Sequence, residues 1–359
     1  MVRVNHRIRY PPFESSKLDA SQIPIVEHSF DIEGPVVPGF QLGSQDSWLV
    51  ERTIEGEHEL DRGYHGEVPQ IIEKQRTGWY LLPHPIHAGA RKFINFTVII
   101  LLFSLFYLFS TPLQSSLGIP VFGTGKVRLG LLDYPLLAVV LVPMMLVPIV
   151  LRVAANLRDL QRQKFFLRNS PPRPQIDVNI LESGNNLKGT IFIENPLKDW
   201  TGMKVSWRVG ILPPARHKVF AALNRDPSGQ PPPGLTTALP HHWEEGLDDG
   251  TGMGEDAPME RHDVPGGVFL RPMRIMSSSK TIDVGLEGGD MELETPKGDW
   301  PGTLYGGLVR VHWELIVHIE RQNGGPLFWV EPLTVLHPEK AVVNTSINIS
   351  DGRTESDAL

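Results

Sequence analysis

Two uncharged apolar runs dominate the pattern of this chain, residues 94–110 and residues 134–151. The first is almost wholly Ile, Leu, Val and Phe through 98–109. At about 17 residues it meets the lower limit for a helix that crosses a bilayer, and Phe93 with residues 111–113 can extend it. Tyr107 falls near its far end, where an aromatic suits the membrane interface. The second run contains Pro135, Pro143 and Pro148. In lipid these predict kinks rather than a break, because neighbouring groups satisfy the freed backbone. The pattern predicts transmembrane helices over 93–112 and 133–152, joined by a loop over 113–132.

Beyond residue 152 the helical period continues. Val153, Leu157, Leu160, Lys164 and Leu167 follow a spacing of four, three, four and three, up to Pro171, Pro172 and Pro174. This predicts a basic helical stalk and Pro linker over 153–174. One reading is a solvated overhang whose cations serve only topology. The other is a stalk, residues 153–167, that forms a homodimer or rests on anionic lipid. Two heptads are too few to establish a coiled coil, which favours the first.

From residue 175 the period changes to two. Ile176, Val178 and Ile180 alternate with polar residues, as do Leu187, Ile191 and Ile193, and then Val205, Trp207, Val209 and Ile211. The strongest run sets Val309, Val311, Trp313, Leu315, Val317 and Ile319 against Arg310, His312, Glu314, His318 and Glu320. About six or seven half-buried strands separated by Gly, Pro and Asn turns predict an all-β soluble domain over 175–336, an antiparallel β-sandwich. Residues 213–265 form a long acidic insertion with one strand expected at 219–223. The tail, 337–359, reads as polar and disordered, with Val342, Val343, Ile347 and Ile349 as an alternative short edge strand. In residues 1–90, Pro11, Pro12, Pro24, Pro35, Pro38, Pro69, Pro83 and Pro85 interrupt every candidate helix. That region reads as a partly ordered arm, or as segments that dock on the later domain and complete its sheet.

Charge orients the hairpin. Lys74, Arg76, Arg91 and Lys92 precede the first run, and Arg152, Arg158, Arg162, Lys164 and Arg168 follow the second. The connecting loop has only Lys126 and Arg128. The positive-inside rule then places both termini in the cytoplasm, with Arg91, Lys92, Arg152, Arg158, Arg162 and Lys164 as the anchoring cations of a multi-pass protein of the cell membrane. Residues 1–10 are Arg-rich and lack the apolar core of a signal peptide. The net charge of -7 and the absence of a long basic block set the chain apart from nucleic-acid binders. It has no cysteine, which excludes disulfides, thiolate metal sites and Cys nucleophiles.

Candidate chemistry is thin. His241, His242, Glu244, Glu245, Asp248, Asp249 and His262 form the densest set of potential ligands, yet adjacent histidines point to different sides of any regular element and no His-Glu-x-x-His spacing occurs. The sequence Gly123-Thr124-Gly125-Lys126 lacks the first glycine of a phosphate loop. His312, His318, Arg310, Glu314 and Glu320 share one face of their strand. That face is expected to be wet; the alternative is a binding surface with a pH-sensitive component. Asp133 reads as the solvated start of the second helix. No catalytic, metal or cofactor residue is expected.

One stretch carries a likeness. Leu293-Glu294-Thr295-Pro296 is followed by Trp300-Pro301-Gly302-Thr303-Leu304-Tyr305-Gly306-Gly307, then Val309-Arg310-Val311-His312-Trp313-Glu314-Leu315, and a closing strand at 327–336. This order resembles the last strands of the arrestin-like superfamily, and Leu187-Lys188-Gly189-Thr190-Ile191 resembles its Gly-containing early strand. The likeness covers about half of 175–336. It departs from arrestins proper in having room for one sandwich rather than two. The resemblance implies an immunoglobulin-like or arrestin-like adaptor or scaffold that binds a protein partner, without an active site. A membrane-bound metal-dependent hydrolase using the 241–262 cluster, or an outward-facing adhesion or envelope sandwich, are the alternatives.

Overall fold

The computed structural model describes residues 1–10, 19–57, 59–63, 68, 76–81, 86–123, 125–179, 181–212, 216–226, 273–323 and 325–347. The chain forms two compact units. One combines Met1–Leu82 with Asn169–Leu359, and the other is Pro83–Arg168. The protein is mostly β-sheet, with two long apolar helices confined to the second unit.

The β unit starts with β1 (Val2–Arg9), β2 (Val26–Ile32), β3 (Phe40–Gly43) and β4 (Leu49–Glu55), followed by β5 (Gly78–Leu81). In β1 the even positions Val2, Val4, His6 and Ile8 are buried and the odd ones are not, as a period of two requires. Pro24, Pro35 and Pro38 fall between strands, where their missing donors cost no ladder bond. Of the first ninety residues, the strands β1–β5 are thus built into the sheets.

The second unit holds α1 (Ile86–Ser116), the hairpin strands β6 (Lys126–Leu129) and β7 (Leu132–Pro135), and α2 (Leu136–Arg168). At 31 and 33 residues the helices run about 46 and 50 Å. The segments Phe96–Ser116 and Val139–Phe166 are each long and apolar enough to cross a membrane. Pro143 and Pro148 lie inside α2 without ending it. α1 and α2 pack together, and the positions of α2 turned inward, Leu141, Met144, Pro148, Leu151 and Ala155, recur every three or four residues. Tyr107 ties down the connection. Its hydroxyl donates to the Phe122 carbonyl at 3.2 Å and accepts the Phe122 N–H at 2.6 Å. Asp133 lies in β7, in register with Arg128, rather than at a helix start.

The chain then returns to the β unit with β8 (Gln175–Val178), β9 (Leu181–Glu182), β10 (Leu187–Phe192), β11 (Trp200–Ile211) and α3 (Arg216–Leu223). After these come β12 (Arg274–Ser278), β13 (Ile282–Val284), β14 (Gly288–Leu293), β15 (Leu304–Tyr305), β16 (Arg310–Arg321), β17 (Leu327–Leu333), β18 (Val335–Leu336) and β19 (Val342–Asn344). α3 stands where a strand is expected at 219–223, because Lys218, Ala221, Ala222 and Leu223 favour a helix and one turn buries Val219 and Phe220 together. The rest of the acidic insertion, 227–272, lies outside the described residues.

Three main sheets result. One has the order β19-β3-β4-β1-β2, the second β12-β11-β16-β17-β5 with β13 on β11 and β15 on β16, and the third β14-β10-β8. The tail strand β19 joins β3 in parallel, with Val342 opposite Phe40. β14 starts at a glycine for a steric reason: Gly288 has φ +112°, and a Cβ there would lie 2.0 Å from the Ile191 carbonyl oxygen. The core centres on Trp207 and Trp313, ring centroids 5.0 Å apart. Their indole N–H groups donate to the carbonyls of Glu294 and Pro301.

Candidate functional site

β16 is flanked by β11 and β17 and buried on both faces. This overturns the expected wet face at His312 and Glu314, which are both fully buried, whereas Arg310, His318 and Glu320 are partly exposed. A buried carboxylate needs compensating donors, and it has them. Arg76, from the segment before β5, donates to Glu314 in a fork, Nη2 to Oε1 at 2.7 Å and Nε to Oε2 at 3.0 Å. Arg208 lies opposite Glu314 in the β11–β16 register and donates from Nε to Oε1 at 2.6 Å. His312 Nε2 is 3.2 Å from Glu314 Oε2, and the Tyr305 hydroxyl is 2.7 Å from His312 Nδ1.

The electrostatics fix the proton positions. Burial pushes the Glu314 carboxyl up, but Arg76 and Arg208 outweigh it and hold the group well below the usual range. Burial holds His312 below its ordinary value, against the pull of Glu314. An ionised carboxylate only accepts, so the neutral imidazole carries its proton on Nε2 and accepts from the Tyr305 O–H at Nδ1. The result is a chain from Tyr305 through His312 to a carboxylate gripped by two guanidinium groups. With both central groups sealed from solvent, the arrangement is suited to holding β11, β15, β16 and the Arg76 segment in one register.

A second polar cluster lies on the inward face of the first sheet. Arg52 on β4 stands in register with His6 on β1 and Phe40 on β3. Its Nη1 donates to His6 Nε2 at 2.8 Å and its Nε to the Val37 carbonyl at 3.3 Å. His6 therefore keeps its proton on Nδ1, which is buried without a partner. Gly306 lets the chain pass over this ring, for a Cβ there would come within 3.0 Å of it. His337 sits 6.1 Å from the Phe40 ring. Burial, then Arg52 and His28, bring the His6 pKa down to about 3; burial, then Arg52 and Arg62, bring His337 to about 3. Burial alone lowers Arg52 to about 10, and among the described residues no carboxylate pairs with it.

The third feature marks where the β unit gives way to the helical hairpin. Trp79 on β5 packs edge-on to Trp329 at 5.3 Å and lies 5.8 Å from Trp200. Its indole N–H donates to the Pro172 carbonyl at 3.1 Å, so the residues leading into the hairpin and those leading out of it meet at one aromatic cluster. Arg173 lies over Trp329, 5.7 Å from its centroid, and pairs with Glu331 at 2.7 Å. Arg173→Ala is expected to cost about 1 kcal/mol, the sum of an exposed cation–π contact and a surface ion pair. Thermal unfolding in detergent checks this, with no change expected in helix content.

Of the six cations read as anchors, Arg91 and Lys92 fall in α1 and Arg152, Arg158, Arg162 and Lys164 in α2. Arg158 and Lys164 are exposed and Arg162 is half-buried. The set His241, His242, Glu244, Glu245, Asp248, Asp249 and His262 lies outside the described residues. Among the described residues no group of three His or acidic side chains is placed to hold a metal ion. Sequence reasoning missed Arg76, Arg52 and His6 as core residues. The alternation of Val2, Val4 and Ile8 with Arg3, Asn5, Arg7 and Arg9 was the available signal for β1. No family model matches the chain, and no curated protein matches it.

Proposed function

We propose that the chain is a two-pass, non-enzymatic membrane adaptor or scaffold. Its β unit is an antiparallel sandwich of arrestin-like or immunoglobulin-like type, held at the cytoplasmic face of the cell membrane to bind a protein partner. The observation that carries this reading is the position of the apolar hairpin inside the sequence of the β unit. Residues from both flanks share the same sheets, β5 pairing with β17 and β3 with β19. A folded unit built from both flanks lies on one side of any bilayer the hairpin crosses, so the chain enters and returns. The cations Arg91, Lys92, Arg152, Arg158, Arg162 and Lys164 favour the cytoplasmic side. β2 and β8, at the edges of their sheets, offer backbone groups for strand addition by a partner.

Because the chain lacks cysteine, single substitutions label without background. Leu131, at the turn between β6 and β7, is 93% exposed, and Lys280 is exposed in the β unit. An impermeant maleimide is expected to reach Leu131→Cys in intact cells and Lys280→Cys only after permeabilisation. The reverse pattern makes the β unit outward-facing and replaces the adaptor reading with an adhesion or envelope role. Release of the protein by alkaline carbonate removes the membrane anchor altogether.

A further inference from the structure

We infer that two copies of this chain pair in parallel through α2, along a seam that starts inside the bilayer and continues past it. The inference rests on the membrane-anchor reading above and names a partner for it. Leu146, Val150, Val153, Leu157 and Leu160 follow the four-three alternation that keeps one stripe facing a partner helix. All five are open, from 46% exposed at Leu160 to 63% at Val150. The stripe lies opposite the packed face of the same helix, where Pro148 and Ala155 are buried. Among the described residues of the helical unit these five positions stay open.

Lipid accounts for only part of this surface. Arg152 is the first charge after Asp133 and marks the edge of the hydrocarbon. Leu157 and Leu160 follow it by five and eight residues, about 7.5 and 12 Å along a helix. The headgroup layer is about 5–8 Å deep on each side, so Leu160 lies beyond it. A surface that is apolar both in lipid and in water fits a neighbour that makes the same transition at the same height. A second copy of α2 does so by construction. The flanking charges permit it: Asn156 and Gln161, which would face each other across a parallel pair, are uncharged, while Arg158 and Arg162 lie off the seam. Lys164 occupies the next seam position, where a polar residue ends the apolar contact and fixes register at a cost in stability. The two apolar positions before Arg152 extend the contact beyond the two heptads of the stalk. Confinement by the hairpins removes much of the freedom that pairing would otherwise have to overcome.

The test uses the full chain in native membranes, with single cysteines at Leu157, Leu160 and, off the seam, Arg158. Under copper–phenanthroline oxidation, Leu157→Cys and Leu160→Cys are expected to form disulfide-linked dimers about tenfold faster than Arg158→Cys, as paired core positions do. Equal rates at all three, or no dimer at Leu157→Cys and Leu160→Cys, overturn the seam while the protein remains membrane-bound. Loss from the membrane fraction instead overturns the anchor itself. As a second measurement, a Leu157→Lys/Leu160→Lys variant carrying one fluorophore is expected to photobleach in single steps where the unsubstituted chain bleaches in two. Two-step bleaching of that variant also overturns the proposal.

Discussion

Replacing Glu314 with Gln or Ala is expected to lower stability by about 3–5 kcal/mol, the cost of leaving a buried ion cluster without one partner. The carboxylate has no exposure, and Arg76 and Arg208 both turn their guanidinium groups onto it. Removing its charge leaves those two cations facing each other in the interior, without water to screen them. Glutamine keeps the shape but offers one acceptor oxygen in place of two, so it does not rescue the site. The complementary expectation is that Arg76→Met, Arg208→Met and Glu314→Leu together recover most of the loss, because a well-packed apolar triad avoids the desolvation of three ions. Chemical unfolding of the detergent-solubilised chain, followed by tryptophan fluorescence, measures both. Trp313 adjoins Glu314 and packs against Trp207, so two of the chain's eight tryptophans report from beside the site. A Glu314→Gln variant as stable as the parent would refute the cluster.

His6 and His337 together are also expected to lower stability by about 4 kcal/mol between pH 7 and pH 5. His6 and His337 titrate near 6.5 when unfolded but near 3 when folded. Below pH 6.5 the unfolded chain therefore binds protons that the folded chain does not, and stability declines as pH drops toward 3. Each histidine loses about 1.4 kcal/mol per pH unit in that window, or about 2 kcal/mol at pH 5. Arg52 faces both rings, with His28 acting on His6 and Arg62 on His337, and among the described residues no carboxylate pairs with either ring. Glu314 contributes with the other sign of shift. Its carboxyl is held low, so its stabilisation persists through this window and is lost only further into acid. A His6→Gln/His337→Gln variant is expected to reduce the slope between pH 7 and 5 whatever its absolute stability, leaving the part carried by His312 and His318, which burial also holds low. An unchanged slope would mean that other groups carry the acid sensitivity.

How much of this was legible depends on the range of the interaction. The apolar helices could be read directly, because their signal is local and continuous. The β16 strand was equally plain, since Val311, Trp313, Leu315, Val317 and Ile319 alternate without a fault. Its surroundings were not. Charged residues at every second position describe a wet face and a buried ionic face equally well, and the choice is made by Arg76, 238 residues earlier in the chain. Arg208 was closer to reach, because register alone sets it opposite Glu314. In the first ninety residues the prolines obscured β1–β4, although they punctuate the strands rather than preventing them. At 219–223 a short apolar run was ambiguous between strand and helix, and Ala221 with Ala222 decided for helix.

The interrupted β unit also dictates an order of assembly. Residues 1–82 are synthesised before either apolar helix, yet β3 waits for β19, β5 for β17, and Arg76 for Glu314. Strands β1–β4 can pair with one another at once, whereas β5 has no sheet partner until β17 has been made. On the membrane reading proposed above, the two inserted helices would replace a long flexible loop with a fixed span, which shortens the entropic reach between Trp79 and Pro172. Membrane insertion would in this way act as a folding step for the β unit. On that reading, a ribosome stalled shortly after residue 168 should carry a chain in which residues 76–81 are still open to protease, while β1–β4 are already paired.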